Sequence, residues 1–334
     1  VSFILNKKTK LLPIPGAAIL LLSMLIGLYF QAKNIAVVPQ TSKTAFSPPQ
    51  VLGTSTPLQV PLRGSQAAVS TQPNSNNTNP GAIDLEGVSA KAVLAYDLET
   101  GQILGGKNSG LQLPIASLTK LLTAWVVYQD GDLNDIVEIK NTDLVNVKPV
   151  LSLTPGDKIK ISDLLNSMLI GSNNDAALAL SNYVAEKTGQ DFALLMNKAA
   201  KELGMRDSQF SNPFGFDYKG NYSTAADLQK LVNATQSLAV FTHLGRAQNF
   251  EFTSQSGRRY FTKATNRLLL KHPEIEAVKT GYTESSKGSM ITKITLGGRK
   301  VILIAISSEN READTLKLEQ VLSEYFTVAK KLEN

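Results

Sequence analysis

The sequence predicts an α+β fold: an antiparallel β-sheet flanked by helices, an α/β sandwich, with a helical subdomain. Two observations carry this. Between about Leu85 and Asn334, short apolar runs bounded by turn residues stand at both ends, and amphipathic helical patterns fill the middle. Strands that open and close one domain bury their apolar faces by pairing in a single antiparallel sheet around a helical layer.

At 334 residues the chain has room for one large domain or two small ones, with a core stable without staples. It has no cysteine, which excludes disulfide frameworks, cysteine-based zinc sites and cysteine nucleophiles. Its two histidines, His243 and His272, lack metal-ligand spacing and read as ordinary surface or core residues. No metal and no cofactor is expected. The net charge of +6 is spread without a basic stripe interleaved with aromatics, so nucleic acid is not an expected partner.

Residues 1–10 read as a short cytoplasmic N-terminus. Leu11 to Phe30 is uncharged over twenty residues, long enough as a helix to cross a hydrocarbon core of about 30 Å. Lys7, Lys8 and Lys10 precede it and only Lys33 closely follows, so the positive-inside rule sends the remainder outside the cell. The expectation is a single-pass anchor in the cell membrane with an extracytoplasmic catalytic domain. A cleaved signal peptide fits less well, because Phe30 or Asn34 would stand two before a cut after Ala32 or Ala36. Residues 31–84, rich in Pro, Ser, Thr, Asn and Gln, cannot bury enough apolar surface to fold and read as a linker. Such a chain has a reach of roughly 40 Å.

Within the domain at 85–334, Ala90 to Asp97 and Gln102 to Leu104 flank Glu99-Thr100-Gly101 as a hairpin. Helical patterns follow at Ser117 to Gln129, Ser162 to Ile170, Asn174 to Lys187, Asp191 to Leu203 and Thr224 to Thr235. Strand patterns return at Ile275 to Lys279, Gly288 to Thr295 and Arg299 to Ser307, the last two joined at Gly297-Gly298. A helix from about Glu312 to Leu332 closes the domain.

Three short motifs carry chemistry. Ser117 and Lys120, three apart where a helix opens, share a face, as a nucleophile and its base must. Lysine is a base only when neutral, which requires desolvation or a second cation nearby. Amides at the helix start also place the Ser117 N–H where it can stabilise an oxyanion. Alone the pattern is weak, since a chain of this length holds about one or two by chance. Ser172-Asn173-Asn174 lies in a break between two helices, where a hydroxyl and an amide can relay a proton and hold a substrate backbone. By itself it is an ordinary N-cap. Lys279-Thr280-Gly281 ends a strand whose edge can pair with a peptide, and Lys279 supplies charge for a carboxylate and depresses the pKa of Lys120. Ser75-Asn76-Asn77 and Ser308-Glu309-Asn310 repeat the second pattern out of context, and Lys187-Thr188-Gly189 repeats the third at a helix end, where Gly189 reads as a C-cap.

In this order and setting, the three motifs resemble those of the penicillin-binding protein and serine β-lactamase superfamily. The likeness is closer to the low-molecular-weight D-alanyl-D-alanine carboxypeptidases. It rests on Pro114 to Lys120, Gly171 to Ala177, Ser211-Asn212-Pro213-Phe214-Gly215, Tyr222 to Leu228 and Val278 to Thr283, and runs from about Lys91 to the C-terminus. The resemblance implies a DD-peptidase/β-lactamase-like fold and a serine peptidase of peptidoglycan. It makes Ser117 the acylated nucleophile, Lys120 its base, Ser172 the proton relay and Asn174 a substrate contact. Lys279 and Thr280 of the Lys279-Thr280-Gly281 motif would engage the terminal carboxylate, and the N–H groups of Ser117 and Tyr282 would form the oxyanion hole. The implied partners are stem peptides ending in D-Ala-D-Ala and, as covalent inhibitors, β-lactams. Asn173 stands where many carboxypeptidases have Gly, and no second β-rich domain follows.

Three rivals remain. A class A β-lactamase needs a Glu with Asn four residues on between the second and third motifs, and none of Glu186, Glu202, Glu251, Glu274 or Glu276 has it. An endopeptidase cutting cross-links runs the same chemistry and is not separated by sequence. A non-catalytic wall-binding protein would be expected to have lost one of Ser117, Lys120 or Lys279.

Overall fold

Strand β1 (Ala92–Asp97) is buried along its whole length, because both faces of the sheet it belongs to are covered. The computed structural model describes residues 83, 85–145, 151–216, 220–236, 238 and 244–332, and among them five of the nine strands and all six α-helices follow the expected order. The expected cytoplasmic segment and anchor, the linker apart from Ile83, and His243 lie outside the described residues. Among the described residues no helix is long and apolar enough to cross a membrane. Ile83, assigned to the linker, instead bridges Gly105, and Leu85 is buried, so the domain begins there.

The main sheet is antiparallel, in the order β2 (Ile103–Lys107), β1, β9 (Arg299–Ser308), β8 (Lys287–Leu296) and β7 (Ile275–Thr283). Period-two alternation sorts its side chains. Leu94, Tyr96, Ile302 and Ile304 face the helical subdomain, while Val93, Ala95, Leu303 and Ala305 face Leu318 and Leu322 of the closing helix α6 (Arg311–Leu332). Gly297 and Gly298, with φ of +58° and +84°, make the β8–β9 connection, where a two-residue turn of matching twist needs two left-handed residues.

The subdomain comprises α1 (Lys120–Asp130), α2 (Ile161–Ile170), α3 (Asn174–Thr188), α4 (Phe192–Glu202) and α5 (Ala225–Thr235). Asn173, Asp191 and Thr224 each cap the following helix with a side-chain oxygen, and Gly189 at φ +69° closes α3.

The sequence reading missed two hairpins. One pairs β3 (Ile136–Glu138) with β4 (Lys158–Lys160), the other β5 (Asn249–Thr253) with β6 (Arg259–Lys263). Asp157 ties them together, accepting from Nε of Arg258 at 3.0 Å and from the hydroxyls of Ser256 and Tyr260. Burial pushes the Asp157 carboxyl up, but those hydrogen bonds and the Arg258 charge outweigh it and hold the pKa below the usual range. A further correction concerns β7, which runs on to Thr283, so Lys279-Thr280-Gly281 lies within the strand and not at its end.

Candidate active site

Ser117 stands in a 3-10 turn, Ala116–Thr119, that leads directly into α1. At three residues per turn, positions three apart eclipse one another, which brings Lys120 over Ser117 more directly than an α-helix would. The Lys120 Nζ lies 2.9 Å from Ser117 Oγ, 2.7 Å from Asn174 Oδ1 and 2.7 Å from the Phe214 carbonyl oxygen. Lys120 is fully buried, and burial first, then the charge of Lys279, holds its pKa well below the ordinary lysine value.

These contacts suit a neutral amine. Nζ donates to Asn174 Oδ1, to the Phe214 carbonyl and to Ser117 Oγ, which itself lies 3.5 Å from the Phe214 carbonyl oxygen; a neutral amine can keep the first two contacts with its two N–H bonds and turn its lone pair to Ser117 Oγ. The Phe214 carbonyl is held by its own loop: the Asn212 side-chain oxygen accepts from the N–H groups of Phe214, Gly215 and Phe216, and Thr123 donates to the Pro213 carbonyl at 2.6 Å.

Two glycines let backbone close on Ser117. A β-carbon on Gly215 (φ +91°) would fall 1.9 Å from the Ala116 carbonyl oxygen, and one on Gly281 would meet Ser117 N at 3.0 Å. Ala116 itself is left-handed, at φ +47°. The Ala116–Ser117 peptide is thus gripped by residues from the loop and from β7, and the Ser117 N–H is fixed beside the third motif.

Ser172 follows the end of α2 at φ +58°, where glycine is the usual occupant. The preceding Gly171 has an ordinary helical φ of −90°, and its missing side chain serves closeness instead, since a β-carbon there would fall 1.9 Å from Thr262 Oγ1. Asn173 N donates to the Ser167 carbonyl at 3.4 Å while its side chain caps α3, so the turn is clamped on both sides of Ser172. Among the described residues the Ser172 hydroxyl has no hydrogen-bond partner. The structure therefore joins Ser117, Lys120 and Asn174 by direct contact and leaves Ser172 unattached to them.

Lys279 is only 2% exposed and donates to the Thr280 carbonyl at 2.9 Å. Burial, then the Arg311 guanidinium, lowers its pKa to about 7. Arg311, which the sequence reading passed over, donates from Nη1 to the Gly281 carbonyl at 2.7 Å. A row of basic side chains, Arg311, Lys279 and Lys120, thus leads toward Ser117, each lowering the pKa of the next. Thr280 Oγ1 lies 2.5 Å from Thr265 Oγ1. Gly281 is buried, and the Tyr282 side chain, 64% exposed, projects from the sheet's edge strand. Among the described residues no three His, Cys, Asp or Glu side chains are grouped to hold a metal.

The arrangement can perform acyl transfer to a hydroxyl beside a desolvated amine. Comparisons agree. The profile of a family described as D-alanyl-D-alanine carboxypeptidase matches residues 76–310. The chain is 28% identical over 250 residues to the D-alanyl-D-alanine carboxypeptidase DacF of Bacillus subtilis (strain 168), covering 71% of this chain and 63% of that protein. It is 30% identical over 247 residues to DacC of Escherichia coli (strain K12), covering 68% of this chain and 58% of that one. The chain thus spans about 60% of the length of these curated relatives. Among solved structures, the Streptomyces K15 DD-transpeptidase is similar with a TM-score of 0.64 at 27% identity, covering 70% of this chain and 97% of that one.

Proposed function

The chain belongs to the D-alanyl-D-alanine carboxypeptidase family, and from that premise we propose that it removes the terminal D-alanine of peptidoglycan stem peptides through an acyl-enzyme on Ser117. The observation that carries this reading is the placement of a fully buried amine, Lys120 Nζ, 2.9 Å from Ser117 Oγ and held there by Asn174 Oδ1 and the Phe214 carbonyl.

Ser117 Oγ attacks the carbonyl carbon of the D-Ala-D-Ala bond as its proton passes to Lys120. The N–H groups of Ser117 and Tyr282 receive the oxyanion. The tetrahedral intermediate collapses, breaking the C–N bond, and the leaving amine takes a proton relayed through the Ser172 hydroxyl. Water then attacks the ester by the same route and frees Ser117. Asn174 holds Lys120 and the substrate backbone. Lys279 in its charged form, the Thr280 hydroxyl and Arg311 provide the field that receives the terminal carboxylate. A β-lactam enters as a mimic of the same bond and stays attached to Ser117.

The substrate lies outside the cell, and the charge asymmetry around Leu11 to Phe30 supports a single-pass anchor that holds the domain there.

Two assays on the full chain test this. Intact mass after a fluorescent penicillin is expected to show one persistent adduct, absent in Ser117→Ala, and a stem pentapeptide is expected to lose one D-alanine. Rapid penicillin turnover would make the protein a β-lactamase. Cleavage of cross-linked dimers with pentapeptide untouched would make it an endopeptidase. No adduct on a folded chain would remove the enzymatic reading.

A further inference from the structure

The stretch 262–265 touches two of the three motif segments and belongs to none of them. Thr262 fills the space left by Gly171, one residue before Ser172. Thr265 N donates to the Ile170 carbonyl at 3.2 Å, which fixes its backbone to the end of α2. The Thr265 hydroxyl, in turn, lies 2.5 Å from that of Thr280 on β7. Asn266 follows and holds the next turn, its side-chain oxygen accepting from Leu268 N at 2.9 Å. The Thr265 side chain is therefore presented to Thr280 from a backbone anchored on both sides.

A hydroxyl has one proton and two lone pairs. If Thr280 spent its proton on Thr265, its oxygen would offer only lone pairs to an anion, which repel a carboxylate. If Thr265 donates, Thr280 accepts through one lone pair and keeps its proton for the ligand. Within the reading of the site given above, on which this inference rests, the second arrangement is the one that binds substrate.

We propose that Thr265 is a positioning residue for carboxylate recognition: its hydroxyl donates to Thr280 and so aims the Thr280 proton at the substrate's terminal carboxylate. The geometry also makes it the strut between the Ser172 turn and β7.

The test uses the full chain with Thr265→Val, which keeps shape and removes the donor, and Thr265→Ser, which restores it. Activity is measured on a stem pentapeptide ending in free D-Ala-D-Ala and on the same peptide as its C-terminal amide. Thr265→Val is expected to raise KM for the acid by about tenfold with kcat nearly unchanged, to lower acid-over-amide discrimination by a similar factor, and to be rescued by Thr265→Ser. Equal losses on acid and amide, or a Thr265→Ser variant as impaired as Thr265→Val, would overturn the proposal in favour of mere packing. Binding gives a readout independent of turnover: measured by calorimetry in a Ser117→Ala background, Thr265→Val is expected to weaken binding of the acid about tenfold and of the amide little, and equal changes would also overturn it. If the wild type cleaves neither peptide, the peptidase reading fails, while acid-over-amide binding in the variant still decides whether Thr265 positions Thr280.

Discussion

Gly281 of β7 packs so closely on Ser117 that a β-carbon there would stand 3.0 Å from the Ser117 backbone nitrogen. The third motif therefore sets where the first presents its N–H. Gly281→Ala should push that nitrogen by a few tenths of an ångström without unfolding the sheet. The expected result is acylation by fluorescent penicillin slowed about tenfold, measured by stopped flow, with the circular dichroism spectrum unchanged.

Asn174→Asp keeps the size of the side chain and puts a carboxylate against Lys120 Nζ. An opposite charge at that distance favours the protonated amine and raises its pKa by roughly 1 to 3 units. The proposed mechanism needs Lys120 neutral, so the acid limb of the pH profile of kcat/KM should move to higher pH, and neutral-pH activity should fall at least about tenfold. An unmoved acid limb would mean that another group titrates there.

In the proposed mechanism Lys279 binds the carboxylate only when charged, and its pKa is lowered to about 7. In the free enzyme kcat/KM should therefore fall as pH rises through that value. Arg311→Leu removes the neighbouring cation, lets the Lys279 pKa rise, and should move the basic limb to higher pH while raising KM. A pH series on the pentapeptide with both proteins checks the direction.

Ser172 holds a left-handed backbone that glycine adopts without strain. Ser172→Gly should stabilise the fold by about 1 kcal/mol in a urea titration. The same change removes the proposed proton relay and should lower kcat about a hundredfold. Gain in one measurement and loss in the other would identify the strain as serving function.

Part of this site was legible from sequence: Lys120 and Asn174 stand on the helices and Lys279 on the strand that their patterns indicated, while Ser117 stands in a 3-10 turn just before its helix and Thr280 within a strand expected to end before it. What escaped was geometry made by backbone or by distant chain. The Phe214 carbonyl carries no residue signature, since every residue has one. Arg311 looks like any basic residue near a helix start, and only folding puts it against Gly281. Glycine in Lys279-Thr280-Gly281 read as the end of a strand, although here its missing side chain allows β7 to continue past the nucleophile. The β5–β6 hairpin did leave a trace, in the alternation of Phe250 with Phe252 before Gly257 and of Tyr260 with Thr262 after it.

β1 lies between β2 and β9 although more than 200 residues of chain separate Ala92 from its opposite number Ile306. Neither β1 nor β8 has its central neighbour until β9 has been synthesised, and a pairing so distant in sequence forms slowly. A growing chain of this topology can form its local hairpins β1–β2 and β7–β8 early, but they stay two separate halves until one late strand arrives to join them into a sheet.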